Sequence, residues 1–112
     1  MRVSVVETDE FIRRADELLS DDEHDALVDL VSDNPDIGTP LGAGIWKFRF
    51  ARPGGGKSGG YRVIHYYKAD TGTPAILLLI YAKNKQDNLT PSQLDRLKVL
   101  AEAIAAGYRR QK

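Results

Sequence analysis

Cysteine is absent from this 112-residue chain, which excludes disulfides, thiolate metal sites and a cysteine nucleophile. A chain without thiols suits a reducing compartment, and the cytoplasm is the expected location. Histidine is almost as scarce: His24 and His65 alone cannot build a metal site, so neither a metal nor another cofactor is expected. Long apolar runs are missing too. The longest, residues 75–82, is far short of the ~20 residues that a membrane helix needs, and no basic start followed by an apolar stretch marks a secretory leader. The expected protein is soluble, unprocessed and without membrane contact.

Net charge is also lacking, but only in the sum. Residues 1–40 carry 3 basic and 12 acidic side chains, whereas residues 41–112 carry 13 basic and 4 acidic ones. Residues 37–69 contain no carboxylate. That window holds Lys47, Arg49, Arg52, Lys57, Arg62 and Lys68, interleaved with Trp46, Phe48, Phe50, Tyr61, Tyr66 and Tyr67. Cations attract phosphate and aromatic rings stack on unpaired bases, so the composition suits an RNA-contacting surface. A solvated basic sheet face is the plainer alternative.

Length and apolar content predict one domain over residues 1–112. Val3, Val5 and Val6 signal a short strand. Thr8 then caps a helix whose apolar residues Phe11, Ile12, Ala15, Leu18 and Leu19 follow helical spacing. Ser20 and Glu23 form a capping-box pattern for a second helix, which carries Leu27, Leu30 and Val31 and stops at Asn34-Pro35. From Gly44 the period becomes two: Trp46, Phe48 and Phe50 alternate with Ile45, Lys47 and Arg49. Segments 61–68 and 75–83 complete a three-stranded antiparallel meander, the second turn being Asp70-Thr71-Gly72-Thr73-Pro74. Thr90, Pro91 and Gln93 open a last helix with Leu94, Leu97, Leu100, Ala101, Ile104 and Ala105 as its buried stripe and Gly107 as its stop. The predicted class is α+β, in the order βααβββα, with an antiparallel sheet packed against helices.

Two apparent motifs dissolve on inspection. Residues 51–58, Ala-Arg-Pro-Gly-Gly-Gly-Lys-Ser, look like a relaxed P-loop. A phosphate cradle of that type needs a helix starting at the Lys-Ser pair, whereas Gly59-Gly60 and the β-rich Tyr61-Arg62-Val63-Ile64 follow. A hairpin loop with Lys57 near its tip is the better reading. His65 invites the role of general base, but alternation sets it beside Val63 and Tyr61 and away from Arg62, as a packing residue. His24 shares a helical stripe with Leu27 and Val31 and reads as structural. No Ser/His/Asp spacing supports a familiar hydrolase.

Arg62, Ile64, Tyr66 and Lys68 share one strand face, with Lys47 and Arg49 on one neighbour and Leu79, Tyr81 and Lys83 on the other. Such a cationic trough fits cleavage in which the RNA 2′-hydroxyl attacks the adjacent phosphorus while fixed cations stabilise the charge that accumulates on phosphate.

The segments Trp46-Lys47-Phe48-Arg49-Phe50-Ala51-Arg52, Lys57-Ser58-Gly59-Gly60, Tyr61-Arg62-Val63-Ile64-His65-Tyr66-Tyr67 and Leu79-Ile80-Tyr81-Ala82-Lys83-Asn84 resemble the RelE/ParE superfamily of type II toxins, and within it the HigB branch. The resemblance implies a curved antiparallel sheet backed by helices. It also implies a ribosome-dependent endoribonuclease that cuts mRNA in the A site without metal, neutralised by a cognate antitoxin. That antitoxin is expected to be of helix-turn-helix type and to be the sole route to operator DNA. Arg62 matches the strand arginine that stabilises the scissile phosphate, Lys83 the basic residue ending the last strand, and Lys47 and Arg49 the phosphate-binding pair. Asn84 stands where RelE proper has a catalytic arginine, and no tyrosine precedes the last helix, so those two roles do not transfer. By position, Tyr66 and Lys57 join the catalytic candidates, and Arg52, Tyr81 and Lys85 the RNA-binding ones. Two rival functions stay open: a ParE-like toxin that inhibits DNA gyrase by binding, and a non-catalytic module that binds RNA or the ribosome.

Overall fold

The computed structural model describes residues 2–51, 60–83 and 89–109. Strand β1 (Val5–Glu7) leads into helix α1 (Asp9–Leu18), where extended Thr8 accepts a hydrogen bond from the Phe11 amide at 3.2 Å. Asp9 and Glu10 in the first turn complement the helix dipole. Helix α2 (Asp21–Asp33) starts from the predicted capping box: the Glu23 amide donates to Ser20 Oγ at 3.1 Å and the Ser20 amide to Glu23 Oε1 at 2.8 Å. It stops at Asn34, because the residue before a proline is driven out of helical backbone.

Four strands follow: β2 (Thr39–Gly42), β3 (Ile45–Phe50), β4 (Tyr61–Tyr66) and β5 (Ala75–Ala82). Helix α3 (Pro91–Arg109) closes the order, with the Gln93 amide on Thr90 Oγ1 at 3.1 Å and the Thr90 amide on Gln93 Oε1 at 2.9 Å. The predicted meander is β3–β4–β5, antiparallel throughout. Two features enlarge it into a five-stranded mixed sheet of order β1-β5-β4-β3-β2. Strand β2, antiparallel to β3, has a Thr-Pro-Leu-Gly composition that reads as turn; an edge strand tolerates it because one side needs no ladder bonds. Strand β1 pairs with β5 in parallel, since the α1–α2 hairpin carries the chain across the sheet before β2.

One face of the sheet presents Phe48, Phe50, Tyr61, Val63, Leu77 and Ile80 to Phe11, Ala15, Leu19, Leu27 and Val31 of the α1–α2 hairpin. The opposite face presents Ile45, Ile64, Tyr66, Ile76, Leu78 and Tyr81, which pack with Ala101 and Ala105 of α3. The result is three layers, where a bare basic second face was predicted. Leu94, Leu97, Ala101, Ile104 and Ala105 face inward as predicted, but Leu100 is 42% exposed. Gly107 keeps a negative φ, so no left-handed cap forms there and α3 runs on to Arg109.

A bulge interrupts the β4–β5 ladder. Ile64 pairs with Leu79 and His65 with Leu77, leaving Leu78 as the extra residue. The bulge puts Leu78 and Leu79 on the same side, so β5 is apolar on both faces without a steady alternation.

Candidate nucleic-acid interface

The cations that the sequence singled out separate into two groups. Across β3 and β4 the Cα partners are Lys47 and Ile64, then Arg49 and Arg62; across β4 and β5, Arg62 and Tyr81. Partners in a ladder share a face, so Lys47, Arg49 and Arg62 emerge together beyond the apolar patch of Ile45, Ile64 and Tyr66 that lies against α3. They line an open cleft of about 360 Å³, whose other lining residues are Gly38, Thr39 and Phe48. Among the described residues no carboxylate and no histidine lines it.

Arg62 is the most informative member. Its Nη1 is buried and, among the described residues, has no hydrogen-bond partner. A guanidinium nitrogen withdrawn from water and left unanswered is costly, so an anionic oxygen that accepts its N–H is the natural complement. The arginines of the first helical layer behave in the opposite way. Arg2 pairs with Asp29 at 3.1 Å and Asp33 at 2.8 Å, and Glu10 binds Arg13 at 2.7 Å and Arg14 at 2.6 Å. Those two arginines hold the Glu10 carboxyl down at about 2.

Lys83 lies one step past the end of β5, exposed, with its amide donating to Gly60 O at 3.4 Å. That bond continues the ladder by one pair, and alternation sets Lys83 on the side of Tyr81 and Arg62. It is not part of the cleft lining.

The predicted tyrosines do not reach the surface. Tyr66, a candidate for stacking or proton transfer, is fully buried beneath α3, and Tyr81 is only 3% exposed. The reason is the third layer: the face expected to be an open trough is half covered. Among the described residues Tyr66 Oη makes no hydrogen bond of good geometry. It lies near Glu102, whose carboxyl Arg109 holds below the usual range, with smaller contributions from Lys68 and Tyr66. Lys68, expected in the trough, is instead tied to α3, its Nζ 3.8 Å from Glu102 and 5.9 Å from the Tyr66 ring centroid. Lys57, Arg52 and Lys85 lie outside the described residues.

His65 is a packing residue, as alternation predicted. It is fully buried, stacks on Trp46 at 6.4 Å between ring centroids and meets Phe48 edge-on at 5.4 Å. Nε2–H donates to Pro35 O at 2.8 Å, and burial pushes its pKa down to about 4. His24 meets Glu7 Oε1 at 2.5 Å and the edge of Phe11. Among the described residues no three His, Cys, Asp or Glu side chains are placed to hold a metal ion.

A family model described as the RelE toxin of the RelE/RelB toxin–antitoxin system matches residues 3–111. The chain belongs to the RelE toxin family. It is therefore the toxin of a toxin–antitoxin pair, and a cognate antitoxin is its implied partner. Among the described residues of this RelE-family toxin, no helix is long and apolar enough to cross a membrane. Sequence reasoning found the three cations of the cleft but missed its wall at Gly38 and Thr39, because Gly-Thr-Pro is turn chemistry and carries no binding signal of its own.

Proposed function

We propose that this toxin is an endoribonuclease that cleaves mRNA in the ribosomal A site and so stops translation. The observation that carries the proposal is the convergence of Lys47, Arg49 and Arg62 on one cleft, with Arg62 Nη1 buried and unanswered among the described residues. The reaction is in-line attack by a ribose 2′-hydroxyl on the adjacent phosphorus, displacing the 5′-oxygen of the next nucleotide. Negative charge grows on the non-bridging oxygens, and a preorientated guanidinium there is worth about 10²-fold or more in rate. Arg62 supplies that stabilisation. Lys47 and Arg49 grip the flanking backbone, and Lys83 adds a point charge from the end of β5. The cations of the cleft work by orientation and charge.

Residues 1–112 act as one toxin domain of the HigB type, working in the cytoplasm, where ribosomes are. A helix-turn-helix antitoxin neutralises it and is its only route to operator DNA. The deciding experiment induces the wild type and Arg62→Ala in cells while mapping mRNA 5′ ends. The wild type should arrest growth and create new ends within codons, and the folded variant should do neither. Equal toxicity from both, or DNA damage in place of translation arrest, overturns the proposal.

A further inference from the structure

The cleft has a second wall that contributes no charge. Gly38 and Thr39 line it opposite the cations. Thr39 is the Cα partner of Lys47, so the two side chains share a face, and Thr39 is exposed. Its hydroxyl makes no hydrogen bond among the described residues, whereas Thr8, Thr71, Thr73 and Thr90 all use theirs.

The segment that carries Thr39 is held from behind. Gly38 has φ +100°, and a Cβ there would stand 2.2 Å from the Lys47 carbonyl oxygen, so glycine is what lets this stretch close onto β3. Two residues before the Ile37 amide, which donates to Asn34 O at 3.0 Å, the Pro35 carbonyl accepts the His65 ring N–H. His65 lies on the opposite side of the sheet from the cleft, clamped between Trp46 and Phe48. It therefore links β4 directly to the chain entering β2.

We propose that Thr39 is a further RNA-binding residue, its hydroxyl donating to a phosphodiester held by the three cations, and that His65 is the positioning residue that keeps the Pro35–Thr39 segment in place. The proposal rests on the reading of the cleft as an RNA site and adds to it a neutral donor and the device that aims it. Thr39 offers one uncharged hydrogen bond with a fixed χ1 preference, suited to selecting the orientation of a phosphate that Lys47, Arg49 and Arg62 attract from any direction. His65 never meets the RNA.

The test measures binding of a short fluorescein-labelled single-stranded oligoribonucleotide by anisotropy across a salt series, with each variant's fold checked by circular dichroism. Thr39→Val should weaken binding about five-fold with the salt slope unchanged, and Thr39→Ser should restore it. His65→Phe should weaken binding at least as much. His65→Gln, which keeps an N–H for Pro35 O, should recover most of the loss. The pair Thr39→Val with His65→Phe should lose no more than His65→Phe alone. Wild-type affinity in Thr39→Val, or losses that multiply in the double variant, overturns the proposal. If Arg62→Ala weakens binding and Thr39→Val does not, the wall has no role and the cationic site stands; if the wild type does not bind the RNA, the Thr39 proposal falls, and mRNA-end mapping with Arg62→Ala decides the reading of the cleft. Should His65→Phe fail to fold, the Thr39 variants and His65→Gln still decide.

Discussion

Arg49 and Arg62 are direct cross-strand partners, next to the Phe50–Tyr61 pair that ends the β3–β4 ladder. Like charges set opposite one another in a sheet repel, so the pair favours an anion close by. The same sheet end holds Lys47, and among the described residues no carboxylate lines the cleft. Three cations at one end of the sheet concentrate a positive field there.

That field makes a quantitative prediction. Binding of single-stranded RNA should weaken steeply with salt, each neutralised phosphate contributing about −0.7 to the log–log slope. Lys47→Ala and Arg49→Ala should each flatten the slope by about one contact and weaken all sequences alike. Anisotropy titrations at several salt concentrations measure both effects; slopes that stay at the wild-type value would remove these residues from the phosphate contacts.

His65 predicts a pH dependence of stability. Its folded-state pKa, about 4, lies below the ordinary 6.5, so in that interval the unfolded chain binds a proton that the native state refuses. Stability from this group is therefore complete above pH 6.5 and falls by roughly 3 kcal/mol as pH drops to 4. Urea unfolding from pH 7 to pH 4 should show the decline, and His65→Phe should flatten it in that window. Glu10, held down from 4.5 to about 2, starts to lose its contribution only below about pH 4.5, so the decline from pH 6.5 to 4.5 reports His65.

Tyr66→Phe separates burial from chemistry. The Tyr66 hydroxyl is sealed under α3 without a well-formed hydrogen bond, so its removal should leave stability unchanged or raise it by up to about 1 kcal/mol. Toxicity on induction should equal that of the wild type. Thermal unfolding and growth curves check the two parts separately, and lost toxicity in a stable variant would return Tyr66 to the reaction.

Gly38→Ala should be severe for its size. A left-handed φ and a methyl group driven into the Lys47 carbonyl together should cost about 3 kcal/mol, whereas Gly107→Ala, where a Cβ meets nothing within 4 Å, should be neutral or stabilising. Paired thermal melts measure the difference.

What the sequence disclosed and what it hid follow from the range of the forces involved. The caps at Thr8, Ser20 and Thr90 were legible because a hydroxyl and an amide three residues away decide them locally. The β3–β5 meander was legible from the alternation of Phe48 and Phe50 with Lys47 and Arg49. Strand β2 was not, since only its pairing with β3 makes Thr-Pro-Leu-Gly extended. The cover of α3 over the second face was missed, yet its trace was there: Ile45, Ile64 and Tyr66 stand among the cations, and a face meant for water would not carry them. The cations of the cleft were found by charge. The hydroxyl beside them was not, because a threonine before a proline looks like any turn.

Each cleft cation also has a neighbour rooted in the dry interior. Phe48 stands between Lys47 and Arg49, and Val63 beside Arg62, both facing the α1–α2 layer. Pleating makes each strand a rigid lever, with a charge on one side and a packed ring or methyl pair on the other. The spacing of the positive groups is thus inherited from the interior, not chosen at the surface. Heat should abolish anion capture and the packing of Phe48 in a single transition, and a drifting core would detune the toxin without touching any residue that meets RNA.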